Sequence, residues 1–234
     1  MLSVKRKAAI EEFLAGLKLG SLVDASLVSV ALTHPSFLYE GIGTGEHNQR
    51  LEFLGDAIVG LVVGQHLYRK YPEKSEGELT KMRAVIVCEA SLARSAKTLG
   101  LGKYLLLGRG ESRTGGSERA SNLADAFEAL MGALYLSIGL DHIAPLILEL
   151  LNETIDEAEQ GKFGDYKTQL QELIQKKPDQ SLTYKILTEE GPDHDKVFEA
   201  GVFLNGVSLS TGVGKSKKEA EQQAARQALL KLEA

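Results

Sequence analysis

The feature that most constrains the fold is an apolar stretch over residues 48–66 that carries two acids, Glu52 and Asp56. A helix that is hydrophobic on all sides is normally buried, and ionised acids on a buried surface are costly unless a positive group meets them. At i,i+4 spacing the two carboxylates lie one turn apart on the same side of the helix. Val59 and Val63 share that side, and the opposite side is formed by Leu51, Leu54, Ile58, Leu61 and Val62. The pattern predicts a central helix whose acids meet a cation, with a metal ion as the first candidate.

The bulk composition is ordinary for a soluble globular protein, and 234 residues can form one large domain or a medium and a small one. No apolar run is long enough to span a bilayer, so no membrane partner is expected. Glu11 and Glu12 interrupt the apolar region that a signal peptide would need. The single cysteine, Cys88, excludes an internal disulfide and fits the cytoplasm, while its apolar neighbours predict a core position.

The net charge of −5 argues weakly against a nucleic-acid partner, because nucleic-acid-binding domains are usually basic. From residue 166 onward, however, ten Lys/Arg balance ten Asp/Glu. The whole acidic excess therefore lies in the first 165 residues, and the tail is free to carry a local basic patch.

The part of the chain up to residue 159 contains helical patterns and no convincing alternating strand, which predicts an all-α domain. Ser75 and Glu78 have the form of a capping box at the start of a long helix. The Gly-rich segment over residues 108–122 predicts a mobile loop. The predicted helices cover residues 4–19, 24–32, 48–66, 75–100, 123–138 and 143–159.

The tail has a different pattern. Residues 160–165 form a short polar linker candidate with two glycines. Asn205-Gly206 lies between two alternating runs and is a strong hairpin signal. The order α-β-β-β-α predicts a small α+β domain, with a helix over 166–177, strands over 182–190, 197–204 and 207–213, and a helix over 216–232.

A second pair of acids, Asp125 and Glu128, lies at i,i+3 spacing in the helix predicted over residues 123–138. If this face meets Glu52 and Asp56, four carboxylates converge, and so many like charges cannot all stay ionised without a cation. Oxygen ligands favour Mg²⁺ or Mn²⁺ over zinc, and carboxylate-held Mg²⁺ suits phosphoryl chemistry. The spacing indicates a metal-dependent hydrolase, and a structural ion-pair cluster stays open as the alternative.

Other chemistries lack their motifs. A glycosidase could use two carboxylates, but Trp is absent and no aromatic sugar platform is evident. The sequence contains no nucleophile elbow for a Ser–His–Asp site and no GxxxxGK[ST] phosphate loop. His34, which precedes a proline, is more typical of a turn residue bonded by backbone than of a ligand or a base.

The tail points to duplex RNA independently of these acids. A polar face of its first helix, the loop between its first two strands and the N-terminus of its last helix can follow an A-form duplex across its minor groove and phosphates. For the lysines alone, a solvated helix start is an equal alternative. This predicted RNA-binding surface comprises Thr168, Gln171, Glu172, Gln175, His194, Lys215, Ser216, Lys217 and Lys218.

Several blocks of the sequence resemble one family in the expected order. NQRLEFLGDA at residues 48–57 resembles the signature of bacterial ribonuclease III, and ALTHPS at 31–36, EG at 76–77 and LADAFEAL at 123–130 resemble further blocks. The tail resembles a double-stranded-RNA-binding domain, from KTQLQE through GPDHDKVF to GVGKSKKEAEQQAA. Because the resemblance covers essentially the whole chain, it implies an all-α endonuclease domain over residues 1–159, a linker over 160–165 and an RNA-binding domain over 166–234.

The resemblance implies a homodimeric endonuclease that cuts both strands of double-stranded RNA with Mg²⁺, in the processing of rRNA precursors and other structured transcripts. Its products would carry 5′-phosphates, 3′-hydroxyls and two-nucleotide 3′ overhangs. By position, Glu52, Asp56, Asp125 and Glu128 match the metal-binding catalytic acids, and Asp56 and Glu128 are the strongest candidates. A non-catalytic RNA-binding protein with the same fold is the rival, and it is disfavoured because none of the four acids is lost.

The resemblance also assigns residues around these acids. Glu76 matches a further acid of the active centre, and Phe53 matches an aromatic that packs across the dimer interface, together with the apolar surface of residues 57–63. Gln49 departs from the pattern, because some members carry an acid there. A glutamine can weaken a contact to RNA or to metal-bound water, but we do not expect it to abolish cleavage.

Overall fold

The computed structural model describes residues 3–19, 22–41, 45–159, 166–175, 180–191 and 196–233. The chain divides into two compact units, Met1–Lys162 and Phe163–Ala234. The described part of the first unit is helical, and that of the second combines helices with a sheet, as the sequence pattern predicts. The linker predicted over residues 160–165 lies outside the described residues.

The first unit is built from consecutive helices. The label α4 is given to Gln49–Lys70 and α8 to Ala120–Ile138, the two helices that carry the paired acids. The remaining α-helices of this unit are α1 Val4–Gly16, α2 Ala25–Ala31, α3 Pro35–Tyr39, α5 Glu76–Ile86, α6 Glu89–Thr98, α7 Arg109–Arg113, α9 Leu140–Leu150 and α10 Asn152–Glu159, with a short 3-10 helix at Leu101–Lys103.

Two of the predicted helices are each divided in the structure. The capping box is confirmed, since the side chains of Ser75 and Glu78 each accept a hydrogen bond from the other's backbone. The helix does not continue to residue 100, however, because Cys88 takes an extended conformation and α6 begins after it. The preceding Val-Ile-Val run has low helix propensity. Cys88 is exposed, so its predicted core position is wrong.

The other division falls at Leu151. The helix predicted over residues 143–159 is two helices, α9 and α10, separated by this one buried residue. Side-chain hydrogen bonds join α6 to this region, with Ser91 Oγ donating to Thr154 Oγ1 over 2.9 Å and Ser95 Oγ donating to the Leu150 carbonyl over 2.8 Å. These two hydrogen bonds tie the end of α9 and the start of α10 to α6.

Helices α4 and α8 form the centre of the first unit. Ile58, Val59, Val62 and Val63 of α4 are buried, as are most residues of α8. Leu61, which the pattern places on the side opposite the acids, is 54% exposed. None of the helices in the described ranges is both long and apolar enough to cross a membrane.

The second unit has the predicted order, with α11 at Tyr166–Gln175, strands β1 Leu182–Glu190, β2 Val197–Leu204 and β3 Val207–Gly214, and α12 at Lys217–Glu233. The sheet is antiparallel in the order β1-β2-β3. Asn205 and Gly206 both have positive φ, at 50° and 82°, which confirms the predicted tight hairpin.

The core of this unit lies between the helices and one face of the sheet. It is formed by Leu170, Ile174, Val202 and an alanine-rich face of α12. A Cβ added at Gly212 would lie 2.1 Å from the backbone nitrogen of Ala224, so only glycine lets α12 lie directly on β3. The N-terminus of α12 is thereby held close to the end of the sheet.

Candidate metal centre and RNA-binding surface

The close crossing of α4 and α8 positions the candidate metal centre. A Cβ added at Gly55 would lie 1.7 Å from the carbonyl oxygen of Glu128, and one added at Gly132 would lie 2.4 Å from that of Leu51. Both glycines are therefore required for the two backbones to touch. Since Gly55 meets Glu128 while Leu51 meets Gly132, the two helices run antiparallel. The crossing therefore brings the acids of α4 close to the acids of α8.

Three of the four core acids converge at this crossing. Carboxylate oxygens of Glu52, Asp125 and Glu128 all lie within 4.8 Å of one another, and each of the three residues is partly buried. Within the described part of the chain, no Lys or Arg forms an ion pair with any of them. Partly buried carboxylates without a positive partner favour a bound cation.

Asp56 stands at the edge of this group. It is exposed and does not share the close separation of the other three. Its charge nevertheless adds to the burial that raises the pKa of both Glu52 and Glu128, so its carboxylate is part of the same electrostatic environment. The structure thus places all four predicted acids in one region. Carboxylate oxygens of three of them lie within 4.8 Å of one another, and Asp56 lies beside them.

The electrostatics of the group are dominated by burial and mutual repulsion. Burial, followed by the charges of Asp56, Glu52 and Asp125, raises the pKa of Glu128 from 4.5 to about 7. Burial also raises the pKa of Glu52 and of Asp125. Bringing these groups together in ionised form is unfavourable, and a divalent cation would remove the penalty.

The donor set fits Mg²⁺ or Mn²⁺. Each acid can supply one or more hard carboxylate oxygens, which these ions prefer, and a carboxylate held at partial exposure leaves room for water and phosphate ligands. A zinc site would need histidine or cysteine ligands, and the potential metal-binding group found among the described residues contains neither. The geometry therefore supports the sequence prediction of a carboxylate-held cation.

His34 supports the surrounding backbone and is not a member of the acid group. Its Nδ1 accepts a hydrogen bond from the Ser36 N–H over 3.2 Å and caps α3, as predicted for a turn residue. Burial lowers the pKa of His34, while the charges of Glu111 and Asp125 oppose that shift. The imidazole is therefore near Asp125, but it does not belong to the group of side chains that could bind one metal ion.

The segment over residues 108–122, predicted to be a mobile loop, is structured. It contains α7, and the Glu40 carboxylate accepts hydrogen bonds from the backbone N–H groups of Arg109, over 2.6 Å, and Gly110, over 3.0 Å. At its other end, Glu111 accepts hydrogen bonds from Arg119 and from Asn122, the latter over 2.7 Å. Glu40, which is distant in sequence, thus holds the start of this segment at the end of α3, and Glu111, within the segment, ties it to the start of α8.

Glu76 lies away from the other predicted metal ligands within one chain. It is exposed at the start of α5 and accepts a hydrogen bond from Thr80 Oγ1 over 3.1 Å. It lines a cavity of about 490 Å³ together with Gly64 and Tyr68 in the C-terminal half of α4. At about 1.5 Å per residue, this part of α4 begins about 18 Å from Glu52. The structure does not bring Glu76 to the acids of its own chain.

Phe53 is 81% exposed, which is unusual for so large an apolar side chain and agrees with its predicted position at an interface. Beside it is a groove of about 610 Å³ that also contains Gln49. The prediction that residues 57–63 form an apolar surface for a partner is wrong for four of them. Ile58, Val59, Val62 and Val63 are buried within the chain's own core. The exposed apolar face of α4 consists of Phe53, Ala57, Leu61 and Tyr68.

The predicted RNA-binding face of α11 is accessible. Gln171, Glu172 and Gln175 are exposed and Thr168 is partly buried, while Leu170 and Ile174 on the other side are buried in the core. The polar face of α11 is therefore the face that is exposed to solvent. His194, the predicted loop residue, lies outside the described residues.

The predicted basic cluster surrounds the start of α12, and Lys215, Ser216, Lys217 and Lys218 are all exposed. Ser216 Oγ accepts a hydrogen bond from the Glu219 N–H over 3.2 Å, and Glu219 accepts one from the Lys215 N–H over 2.8 Å. The spacing of Ser216 and Glu219 is a capping-box signal that could have been read from the sequence. The exposure of the lysines leaves them accessible to phosphate groups.

One contact of this cluster has no signal in the sequence. Lys217 Nζ lies 3.5 Å from Glu189 of β1, and the same carboxylate accepts a hydrogen bond from Lys196 over 2.8 Å. Glu189 is separated from Lys217 by 28 positions in the chain. Only the folding of α12 over the sheet brings the two together.

Comparisons with known proteins agree with this arrangement. A family model described as Ribonuclease-III-like matches residues 24–155, and one described as a double-stranded RNA binding motif matches residues 166–232. Proteins called Ribonuclease 3 from Pelotomaculum thermopropionicum and Desulforamulus reducens are 55% and 54% identical, over 89% and 90% of this chain and 87% and 86% of their own length. Both units of the chain are therefore matched in one relative.

A solved structure resembles the first unit. The nuclease domain of ribonuclease III from Campylobacter jejuni matches with a TM-score of 0.57 and 39% identity, covering 62% of this chain and 97% of that one. That structure is described as showing flexibility in a region involved in dimer formation.

Proposed function

The chain belongs to the ribonuclease III family, and from this membership we propose that it cleaves double-stranded RNA by hydrolysis that requires a divalent cation, Mg²⁺ or Mn²⁺. Endonuclease activity on double-stranded RNA follows from the paired nuclease and RNA-binding domains. The observation that supports the metal most directly is the convergence of Glu52, Asp125 and Glu128 without a positive partner among the described residues.

The four acids have two tasks in this proposal. Glu52, Asp125 and Glu128 would hold the cation, and the exposed carboxylate of Asp56 would complete the site on its open side. When bound, the cation supplies an activated water and stabilises charge on the phosphate. The crossing of two rigid helices keeps the carboxylates in place, so that little reorganisation is needed when RNA arrives.

The second unit would recognise RNA by shape. The exposed polar face of α11 fits hydrogen bonding to 2′-hydroxyls and base edges in a minor groove, and the lysines at the start of α12 fit phosphates. We assign the RNA contacts to Thr168, Gln171, Glu172, Gln175, His194, Lys215, Ser216, Lys217 and Lys218.

We further propose a homodimer in which two sites act on the two strands. The exposed Phe53 and its neighbours on α4 supply an apolar face for the partner. Glu76 is too far from the acids of its own chain to bind the same ion, so any contribution from it has to be made to the partner subunit's site. Staggered cuts by two sites would leave 5′-phosphates, 3′-hydroxyls and two-nucleotide 3′ overhangs on rRNA precursors and other structured transcripts. The single cysteine fits a cytoplasmic enzyme.

Cleavage of a duplex RNA in Mg²⁺, compared with Ca²⁺ or EDTA, tests the activity against the non-catalytic rival. We expect cleavage in Mg²⁺, binding alone in Ca²⁺ or EDTA, and 5′-phosphate termini on the products. The Glu128→Gln variant should bind RNA normally and lose at least about 100-fold in turnover, since one cation ligand is removed. Glu153→Gln, an exposed acid of α10, is the matched control and should cleave normally. Binding without cleavage by the unmodified protein in Mg²⁺ would refute the enzyme assignment.

A further inference from the structure

Glu189 sits between two lysines at the edge of the RNA-binding surface. Its Oε1 accepts a hydrogen bond from Lys196 Nζ over 2.8 Å, and its Oε2 lies 3.5 Å from Lys217 Nζ. One carboxylate therefore joins the β1–β2 hairpin to the start of α12.

The sheet register explains why these groups meet. Glu189 of β1 lies directly opposite Phe198 of β2. The ammonium group of Lys217 lies 5.6 Å from the centre of the Phe198 ring, so it reaches back over the strand pair toward Glu189. Phe198 itself packs on Ala220 of α12. The position of Lys217 is thus determined by the packing of α12 on the sheet.

The two ion pairs are unequal. Lys196 makes the shorter contact and its hydrogen bond is the largest cause of the lowered pKa of Glu189, with Lys217 contributing less. The side chain of Lys217 is also 60% exposed, against 33% for Lys196. Lys196 therefore keeps the carboxylate in place, and the longer, more exposed contact to Lys217 is the one that a phosphate can replace.

We propose that Glu189 competes with RNA phosphate for Lys217 and thereby lowers the affinity of this domain for duplex RNA. The proposal rests on the RNA-binding role given to Lys217 above. In the free protein the ammonium group is paired with Glu189, and on binding RNA it exchanges that partner for a phosphate. The carboxylate then remains paired with Lys196, and the affinity is lowered by the free energy needed to break its contact with Lys217.

Glu190 provides a matched control on the same strand. It is the next residue of β1, so its side chain projects from the other face of the sheet. It lies opposite Val197 and is exposed. Glu190→Gln removes the same charge as Glu189→Gln without breaking the contact to Lys217.

The test measures binding of the full chain to a short RNA duplex in EDTA, where the metal is absent, across a range of salt concentrations. Glu189→Gln should bind about two- to fivefold more tightly at low salt and show a steeper salt dependence, because an additional lysine becomes available to a phosphate. Glu190→Gln should change the affinity by a clearly smaller factor. Thermal unfolding of each variant confirms that the domain is folded.

A double-mutant cycle with Lys217→Met shows whether the effect acts through that lysine. Lys217→Met should weaken binding, and Glu189→Gln in that background should give no more gain than Glu190→Gln. If Lys217→Met leaves binding unchanged, the RNA-binding role of Lys217 is refuted and this inference with it. If Lys217→Met weakens binding but Glu189→Gln gives no gain, or an equal gain in both backgrounds, only the competition is refuted.

Discussion

At the scale of single residues, Glu128 is the most informative side chain of the nuclease unit. It lies at the point where α4 and α8 touch, and burial together with three neighbouring acids raises its pKa to about 7. An ionised carboxylate in such surroundings does not stabilise the folded protein. Its placement is understandable as a ligand for a cation, whose binding would offset the cost.

This raised pKa predicts a particular dependence of stability on pH in the metal-free protein. Between its ordinary value of 4.5 and about 7, the folded chain keeps a proton on Glu128 that the unfolded chain has lost. The free energy of unfolding should therefore fall as pH rises through that window, by about 2 kcal/mol. Urea unfolding in EDTA at pH 5 and pH 8 measures the change.

Glu128→Gln supplies the comparison, since its amide does not titrate. The variant should lose most of this pH dependence, and Mg²⁺ or Mn²⁺ should restore the stability of the unmodified protein at pH 8. An equal pH dependence in the two proteins would show that Glu128 ionises normally in the fold.

At the scale of elements, the crossing of α4 and α8 determines whether the acids can act together. The crossing depends on Gly55 and Gly132, each of which meets a carbonyl oxygen of the other helix. Helix propensity would favour alanine over glycine at both positions. The close approach of the two backbones therefore outweighs the loss of local helix stability. Because of this approach, the acids of the two helices lie next to one another.

Gly55→Ala should separate the two helices, because the added Cβ would lie 1.7 Å from the Glu128 carbonyl oxygen. We expect a loss of about 3 kcal/mol in the free energy of unfolding and a strong loss of cleavage. Chemical denaturation and cleavage rates measure the two effects.

Gly16→Ala is the control for this prediction, because a Cβ at the end of α1 meets nothing within 4 Å. It should alter stability by less than about 1 kcal/mol and leave cleavage unchanged. Normal cleavage by Gly55→Ala would mean that the site tolerates a wider crossing than the structure indicates.

At the scale of the whole molecule, α4 serves the metal centre and offers an apolar face as well. Glu52 and Asp56 belong to the acid region, while Phe53 and Ala57 are the adjacent residues on the exposed side. A large exposed apolar side chain next to a site is typical of an interface. In the proposed dimer, loss of the interface would disturb the metal centre through the same helix.

Phe53→Asp tests this connection. Sedimentation velocity should show a shift from dimer to monomer, since a charge cannot be buried in an apolar interface. Cleavage should fall at least about tenfold, while binding of duplex RNA through the second unit persists. Val4→Asp, a change of equally exposed apolar surface in α1, should keep the dimer and the activity. A dimer of Phe53→Asp with full activity would exclude Phe53 from the interface.

Local sequence patterns predict most of the elements and the carboxylate chemistry of the proposed site. Capping at Ser75, the Asn205-Gly206 turn and the spacing of acids along two helices are local patterns, because each depends on residues within a few positions of one another. They predicted the two-part fold, the carboxylate ligands and the exposed polar face of α11. The breaks at Cys88 and Leu151 have no such signal, because a single extended or irregular residue does not interrupt the periodicity of the apolar positions.

Which of these elements touch is set by tertiary packing. It joined Glu52 to Asp125 and Glu128 through the glycine crossing, and it separated Glu76 from them. It also placed Glu189 against Lys217. Each of these relations depends on how two segments distant in the chain pack, and packing is set by backbone approach and side-chain volume across the whole core rather than by the periodicity of either segment.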